Sequence, residues 1–172
     1  MKKLLISAGA LTALAFTSAP AFAQAVPATT QADAHVRIYQ PLTLTSVRDL
    51  DLGTIVLSGT GPYTDTVGIS QAGAFSCGAN VTCSGTTQTA QYYATGTQGQ
   101  TLSVFVSASI PLVNQTQVSP DLTLTVDAPV AGSVVLDAAG EVTFDLGGSI
   151  DVSDTTAEGV YLGTFDVSAD YQ

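Results

Sequence analysis

Few residues in this sequence could do chemistry. His35 is the only histidine. A triad base must sit in a formed pocket, and His35 falls on the polar side of an extended segment, so it reads as a solvated strand position. Asp49, Asp51, Asp145, Asp151 and Asp154 are formally enough for two-carboxylate hydrolysis. Carboxylates alone at strand ends read more simply as surface charge. No Asp-x-Asp-x-Asp-Gly loop with a distal Glu occurs, which excludes an EF-hand. The stretch Asp151-Val152-Ser153-Asp154 leaves room only for an irregular, weak calcium site. The glycine-rich segments lack the strand-to-helix setting of phosphate loops, and the absence of tryptophan counts against a sugar platform. Tyr92 and Tyr93 are adjacent on a predicted strand, which sends one to the core and one to solvent. The expectation is a non-catalytic protein with no cofactor and no metal.

The start of the chain says where such a protein works. Lys2 and Lys3 precede an apolar run from Leu4 to Phe16, and Ala21-Phe22-Ala23 fits a small-x-small cleavage site. Residues 1–23 therefore read as a secretory signal, and the run is too short for a membrane span. Cleavage leaves 149 residues, a single domain of ample size for a core. It also removes Lys2 and Lys3, taking the formal net charge from −10 to −12. A chain this acidic lacks the cationic patches that nucleic acid or anionic membrane surfaces require. Export places Cys77 and Cys83 in an oxidising compartment, where a disulfide is expected. Its loop is short, so closure stabilises by roughly 2 kcal/mol and pins a loop rather than the domain.

The elements that must carry these residues are strands. From Val26 the even positions read Val26, Ala28, Thr30, Ala32, Ala34, Val36, Ile38, while the odd ones are mostly polar. That period of two predicts a one-faced strand about 43 Å long if fully extended. Beyond Pro41, strands are predicted at Leu42–Thr45, Leu50–Leu57 with a bulge at Gly53, Tyr63–Ile69, Ala90–Thr95 and Thr101–Ser109. Further strands follow at Leu122–Val126, Val134–Leu136 and Glu141–Leu146, with Gly147-Gly148 read as a turn. The chain closes on another one-faced stretch. Tyr161, Gly163, Phe165, Val167, Ala169 and Tyr171 lie on one side; Thr164, Asp166, Ser168 and Asp170 lie on the other. No segment after the signal has a helical period. The fold expected is an all-β antiparallel sandwich or barrel.

Five strings have a family resemblance. Gln40-Pro41-Leu42-Thr43-Leu44 followed by Asp49-Leu50-Asp51-Leu52-Gly53-Thr54-Ile55 resembles the opening of a bacterial family known as domain of unknown function 4402. Leu136-Asp137-Ala138-Ala139-Gly140, Leu146-Gly147-Gly148 and Gly159 through Tyr171-Gln172 are similar to its later landmarks. That family in turn resembles spore-coat-protein-U-like and fimbrial subunits, which pass through periplasmic chaperones and outer-membrane ushers. Such pilins carry a glycine fourteen residues from the end and a penultimate tyrosine; Gly159 and Tyr171 occupy those places. The resemblance implies an immunoglobulin-like, pilin-like sandwich missing its last strand. A chaperone strand, and then the N-terminal extension of the next subunit, would fill the gap beside the C-terminal strand.

These readings combine into one expectation. Residues 24–40 form an extension whose apolar face, Val26, Ala28, Ala32, Ala34, Val36 and Ile38, is donated to another copy, and residues 41–172 form the sandwich. Gly159, Tyr161, Gly163, Phe165, Val167, Ala169 and Tyr171 make the edge that receives a strand. Val36 and Ile38 could equally open the domain's own first strand. The function expected is a structural subunit of a pilus or surface fibre, moving through the periplasm to the cell surface, with chaperone, usher and further subunits as partners. The alternative is a self-contained secreted sandwich serving as a monomeric adhesion or coat component, or a glycan-binding module. The departures from common pilins are the local Cys77–Cys83 pair and the alanine-rich donor face.

Overall fold

The computed structural model describes residues 29–58, 60–131 and 133–172. The signal segment, its cleavage site, Val26 and Ala28 lie outside them. The chain divides into two units, Met1–Val36 and Arg37–Gln172. In the described part of the first unit, residues 29–36 are exposed and carry no strand. Tyr39 and Gln40, assigned to the extension on sequence, belong to the second unit.

The second unit is all-β and, among the described residues, contains no helix. In chain order its strands are β1 Thr43–Arg48, β2 Thr54–Leu57, β3 Thr64–Ile69, β4 Phe75–Ser76, β5 Val81–Ser84, β6 Ala90–Thr95 and β7 Thr101–Val106. They continue as β8 Ser109–Asn114, β9 Leu122–Asp127, β10 Val134–Val135, β11 Glu141–Ser153, β12 Tyr161–Leu162 and β13 Val167–Tyr171. Every pairing is antiparallel. The order β1-β6-β11-β9-β8-β12 forms the main path, with β3 and β4 branching from β11. A separate sheet runs β10-β7-β13, and β2 pairs β5. The arrangement is the antiparallel sandwich expected from the sequence.

The long β11 organises the unit. Its first half pairs β6 from Glu141↔Thr95 to Leu146↔Ala90. Its second half pairs β3 and β9. Even positions face inward throughout, so Phe144 and Leu146 join one core with Ala90, Ala94, Leu102, Val134 and Leu136. Ile150 and Val152 join a second with Val67, Val81, Ile110 and Leu124. Leu50, Val126 and Phe165 pack against both. Gly147-Gly148, expected to be a turn, is instead the middle of this strand. A Cβ on Gly147 would strike the Ile69 carbonyl, and one on Gly148 would lie 2.8 Å from Leu124 Cδ1. The pair is glycine because neighbouring chain passes too close for a side chain.

Three other strand expectations are corrected. Leu50–Leu57 is broken: Asp51 makes an isolated bridge to Gln88, and β2 starts at Thr54. Between them Gly53 sits at φ +74° with its N–H donated to Asp51 Oδ1 at 2.8 Å, an Asx-type turn. The predicted Thr101–Ser109 strand stops at Val106, and β8 begins at Ser109 and pairs β9. Finally, the closing stretch is two strands in different sheets. Tyr161–Leu162 pairs β8, whereas Val167–Tyr171 pairs β7.

Candidate strand-binding groove

Among the described residues, β1, β10 and β13 each pair on one side only around the first core. Of these, β1 pairs with β6 alone and β13 with β7 alone among the described residues. Both alternate as the sequence predicts. Leu42 and Leu44 point inward between exposed Pro41, Thr43 and Thr45; Val167, Ala169 and Tyr171 point inward between exposed Asp166, Ser168 and Asp170. Yet these inward residues are only half-buried, while Ala94 and Leu102 on the adjoining strands are 0% and 1% exposed. An antiparallel edge strand normally has its core face covered by a neighbour. Among the described residues, the core faces of β1 and β13 are therefore only partly covered.

At one end of these two strands stands Tyr171. Its hydroxyl accepts the Thr97 N–H at 2.8 Å and donates to the Gln40 carbonyl at 2.8 Å. Its ring lies 4.8 Å from that of Tyr39, tilted by 35°. The Gln40 N–H is donated to Thr97 Oγ1 at 2.6 Å, so Gln40 is held on both sides. Gly96 makes room for this: a Cβ there would strike the Tyr171 hydroxyl. The β7 ladder continues past Tyr171, with Gln172 N donating to Thr101 O at 3.1 Å.

Tyr92 marks the other end. It lies on the inward face of β6 and stacks on Phe144 at 5.7 Å. Burial, followed by the carboxylates of Asp49 and Asp166, pushes its hydroxyl above the ordinary value of 10.0, against an opposing hydrogen bond from Ser46. Asp49 directly follows β1 and Asp166 directly precedes β13. Tyr93 faces the other way, and its hydrogen bond with Glu141 is the first cause of its raised pKa.

The sequence-predicted edge is therefore divided. Val167, Ala169 and Tyr171 line the groove, and Phe165 packs beneath both cores. Gly159, Tyr161 and Gly163 do not reach the groove edge; they belong to the corner around β8. Gly159, at φ +147°, lies where a Cβ would strike the Asn114 amide. Asn114 is buried, donates to Glu158 O at 3.0 Å and accepts the Thr116 and Gln117 N–H groups at 2.8 and 3.2 Å. In the N-terminal arm, Ala32, Ala34, Val36 and Ile38 are exposed, the last two by 82% and 84%. Neither Val36 nor Ile38 opens a strand of the domain; the first strand starts at Thr43.

The remaining candidates are accounted for separately. Cys77 and Cys83 form the expected disulfide, with S–S at 1.98 Å and Cα atoms 6.0 Å apart. Asp145 Oδ1 accepts from Arg48 Nη2, Thr89 Oγ1 and Gln91 Nε2, each at 3.1 Å. Asp151 accepts from Thr66 Oγ1, and Asp51 from the Gly53 N–H. Among the described residues no three or more His, Cys, Asp or Glu are placed to hold a metal ion. His35 lies exposed in the arm. The groove residues missed on sequence are Tyr39, Gly96 and Thr97, whose roles come from contacts far along the chain.

A family model described as "Domain of unknown function (DUF4402)" matches residues 42–171. The chain belongs to the DUF4402 family. Comparison with curated proteins and with solved structures gave no match. The matched span of this DUF4402 domain starts at Leu42, immediately before β1, and ends at Tyr171, so both groove strands fall inside it.

Proposed function

We propose that this protein is a non-catalytic structural subunit of a pilus or surface fibre, in which each copy receives an extended strand from a neighbour between β1 and β13. The carrying observation is that, among the described residues, both strands have an unpaired edge over a core whose inward residues there stay half-buried. A strand seated between them hydrogen-bonds to both edges and completes an immunoglobulin-like sandwich. Covering each half-exposed Leu or Val is worth on the order of 1 kcal/mol. The donor is the arm up to Ile38, whose apolar residues alternate and, where described, are exposed. An open apolar edge is an aggregation hazard during export, which fits a periplasmic chaperone holding the groove and an usher passing the subunit to the cell surface.

Native assemblies run unboiled on a denaturing gel should give a ladder that collapses on boiling. A chain lacking residues 24–38 should keep its fold and lose the ladder. A stable, monodisperse full-length monomer produced without a chaperone overturns the proposal. A second reading, a self-contained secreted sandwich acting as a monomeric coat or adhesion component, draws on the Tyr171–Gln40 bond, which already joins the two sides at one end. That same monodisperse monomer is what it expects.

A further inference from the structure

We propose that Arg37 of one copy docks against Asp49 and Asp166 at the mouth of the next copy's groove and thereby sets the direction in which the arm lies. This rests on the strand-donation reading above. β1 runs away from the Tyr171 end and β13 runs towards it, since Gln40 and Tyr171 meet there while Asp49 and Asp166 lie beyond the opposite strand ends. The two edge strands are therefore antiparallel, and the two carboxylates share one end of the groove. The Tyr171 end is occupied by the subunit's own chain, with Gln40 held by two hydrogen bonds and Tyr39 against the Tyr171 ring. An arm tethered to another domain at its C-terminal side cannot be fed from that end. Its tethered side must lie at the Asp49–Asp166 end, which puts its small residues, Ala32 and Ala34, towards Tyr171 and brings Arg37 to the mouth.

Charge supports the same placement. The chain has four Lys and Arg against fourteen Asp and Glu. Two of the four are Lys2 and Lys3, and Arg48 is paired with Asp145 at 3.1 Å. Arg37 is exposed and makes no ion pair among the described residues. Asp49 and Asp166 are exposed too, and neither side chain accepts a hydrogen bond among the described residues. Copies this acidic repel one another at long range. Arg37 is the arm's one fixed cation, and a cross-strand charge is favourable beside carboxylates and unfavourable beside another cation.

The test uses full-length chains and reads the fraction in the boil-sensitive ladder against concentration, with each variant's fold checked by circular dichroism. Arg37→Glu, and separately the pair Asp49→Lys with Asp166→Lys, should each weaken assembly roughly fivefold at low salt. Combining the two sets should restore most of the loss, and about 0.5 M salt should shrink all the differences. Single-side variants that assemble like the parent, or a combination without recovery, overturn the docking while leaving strand donation standing. A chain lacking residues 24–38 that still forms the ladder overturns strand donation itself.

Discussion

The hydroxyl of Tyr171 donates to the carbonyl of Gln40 at 2.8 Å, joining the penultimate residue to the point where the chain leaves for its N-terminal arm. The same oxygen accepts the Thr97 N–H. Replacing Tyr171 by Phe keeps the ring against Tyr39 but leaves both backbone groups without this partner. The expected loss is about 1–2 kcal/mol in urea unfolding, with the denaturant slope unchanged. Gly96→Ala should cost at least as much, because its methyl occupies the place of the hydroxyl and displaces both bonds at once.

Gly159→Ala should destabilise by roughly 1–3 kcal/mol, measured in the same way. Its φ of +147° is a region that L side chains rarely adopt, and the added methyl meets the Asn114 amide. Because Gly159 lies at the β8 corner, the substitution should lower stability without changing the affinity of the groove for an arm peptide.

Tyr92 predicts an alkaline limit. Its folded pKa is raised above 10.0, by burial first. As pH rises past the unfolded value, the unfolded chain gives up this proton before the folded one, so stability falls through that window. Tyr92→Phe should remove its share of the fall. A phenolate absorbance titration should lose a late-titrating group in that variant, and another in Tyr93→Phe.

Replacing Cys77 and Cys83 together by Ser should cost roughly 2 kcal/mol and leave the fold intact, since the bridge closes a loop of only a few residues. Near-ultraviolet circular dichroism and urea midpoints check both parts.

The faces of the strands were legible in the sequence, whereas their partners were not. Alternation in the closing stretch placed Val167, Ala169 and Tyr171 on the inward side, because a side chain's face depends only on its own strand. In the closing stretch one side runs from Tyr161 through Phe165, Val167 and Ala169 to Tyr171, yet the pairing changes from β8 to β7 within it. Periodicity carries no record of that change. Gly147-Gly148 misled for a related reason: turns and close packing both select glycine, and only Ile69 and Leu124, far away in sequence, decide between them. Pro111 concealed β8, since a proline inside a short run argues against a strand. The Arg48–Asp145 pair spans 97 positions and has no local signature. Of the groove itself, Val167, Ala169 and Tyr171 could be named in advance, but Gly96 and Thr97 emerge only once the tyrosine is seen to reach them.

The passage of β11 through both cores bears on how the domain comes apart. Phe144 and Leu146 stand in one core, Ile150 and Val152 in the other, and one uninterrupted backbone joins them. Neither half can melt without freeing an end of the strand that holds the other. Scanning calorimetry should therefore record a single heat-absorption peak whose calorimetric and van't Hoff enthalpies agree. Loosening the waist at Gly147 and Gly148 should broaden that peak before it moves it.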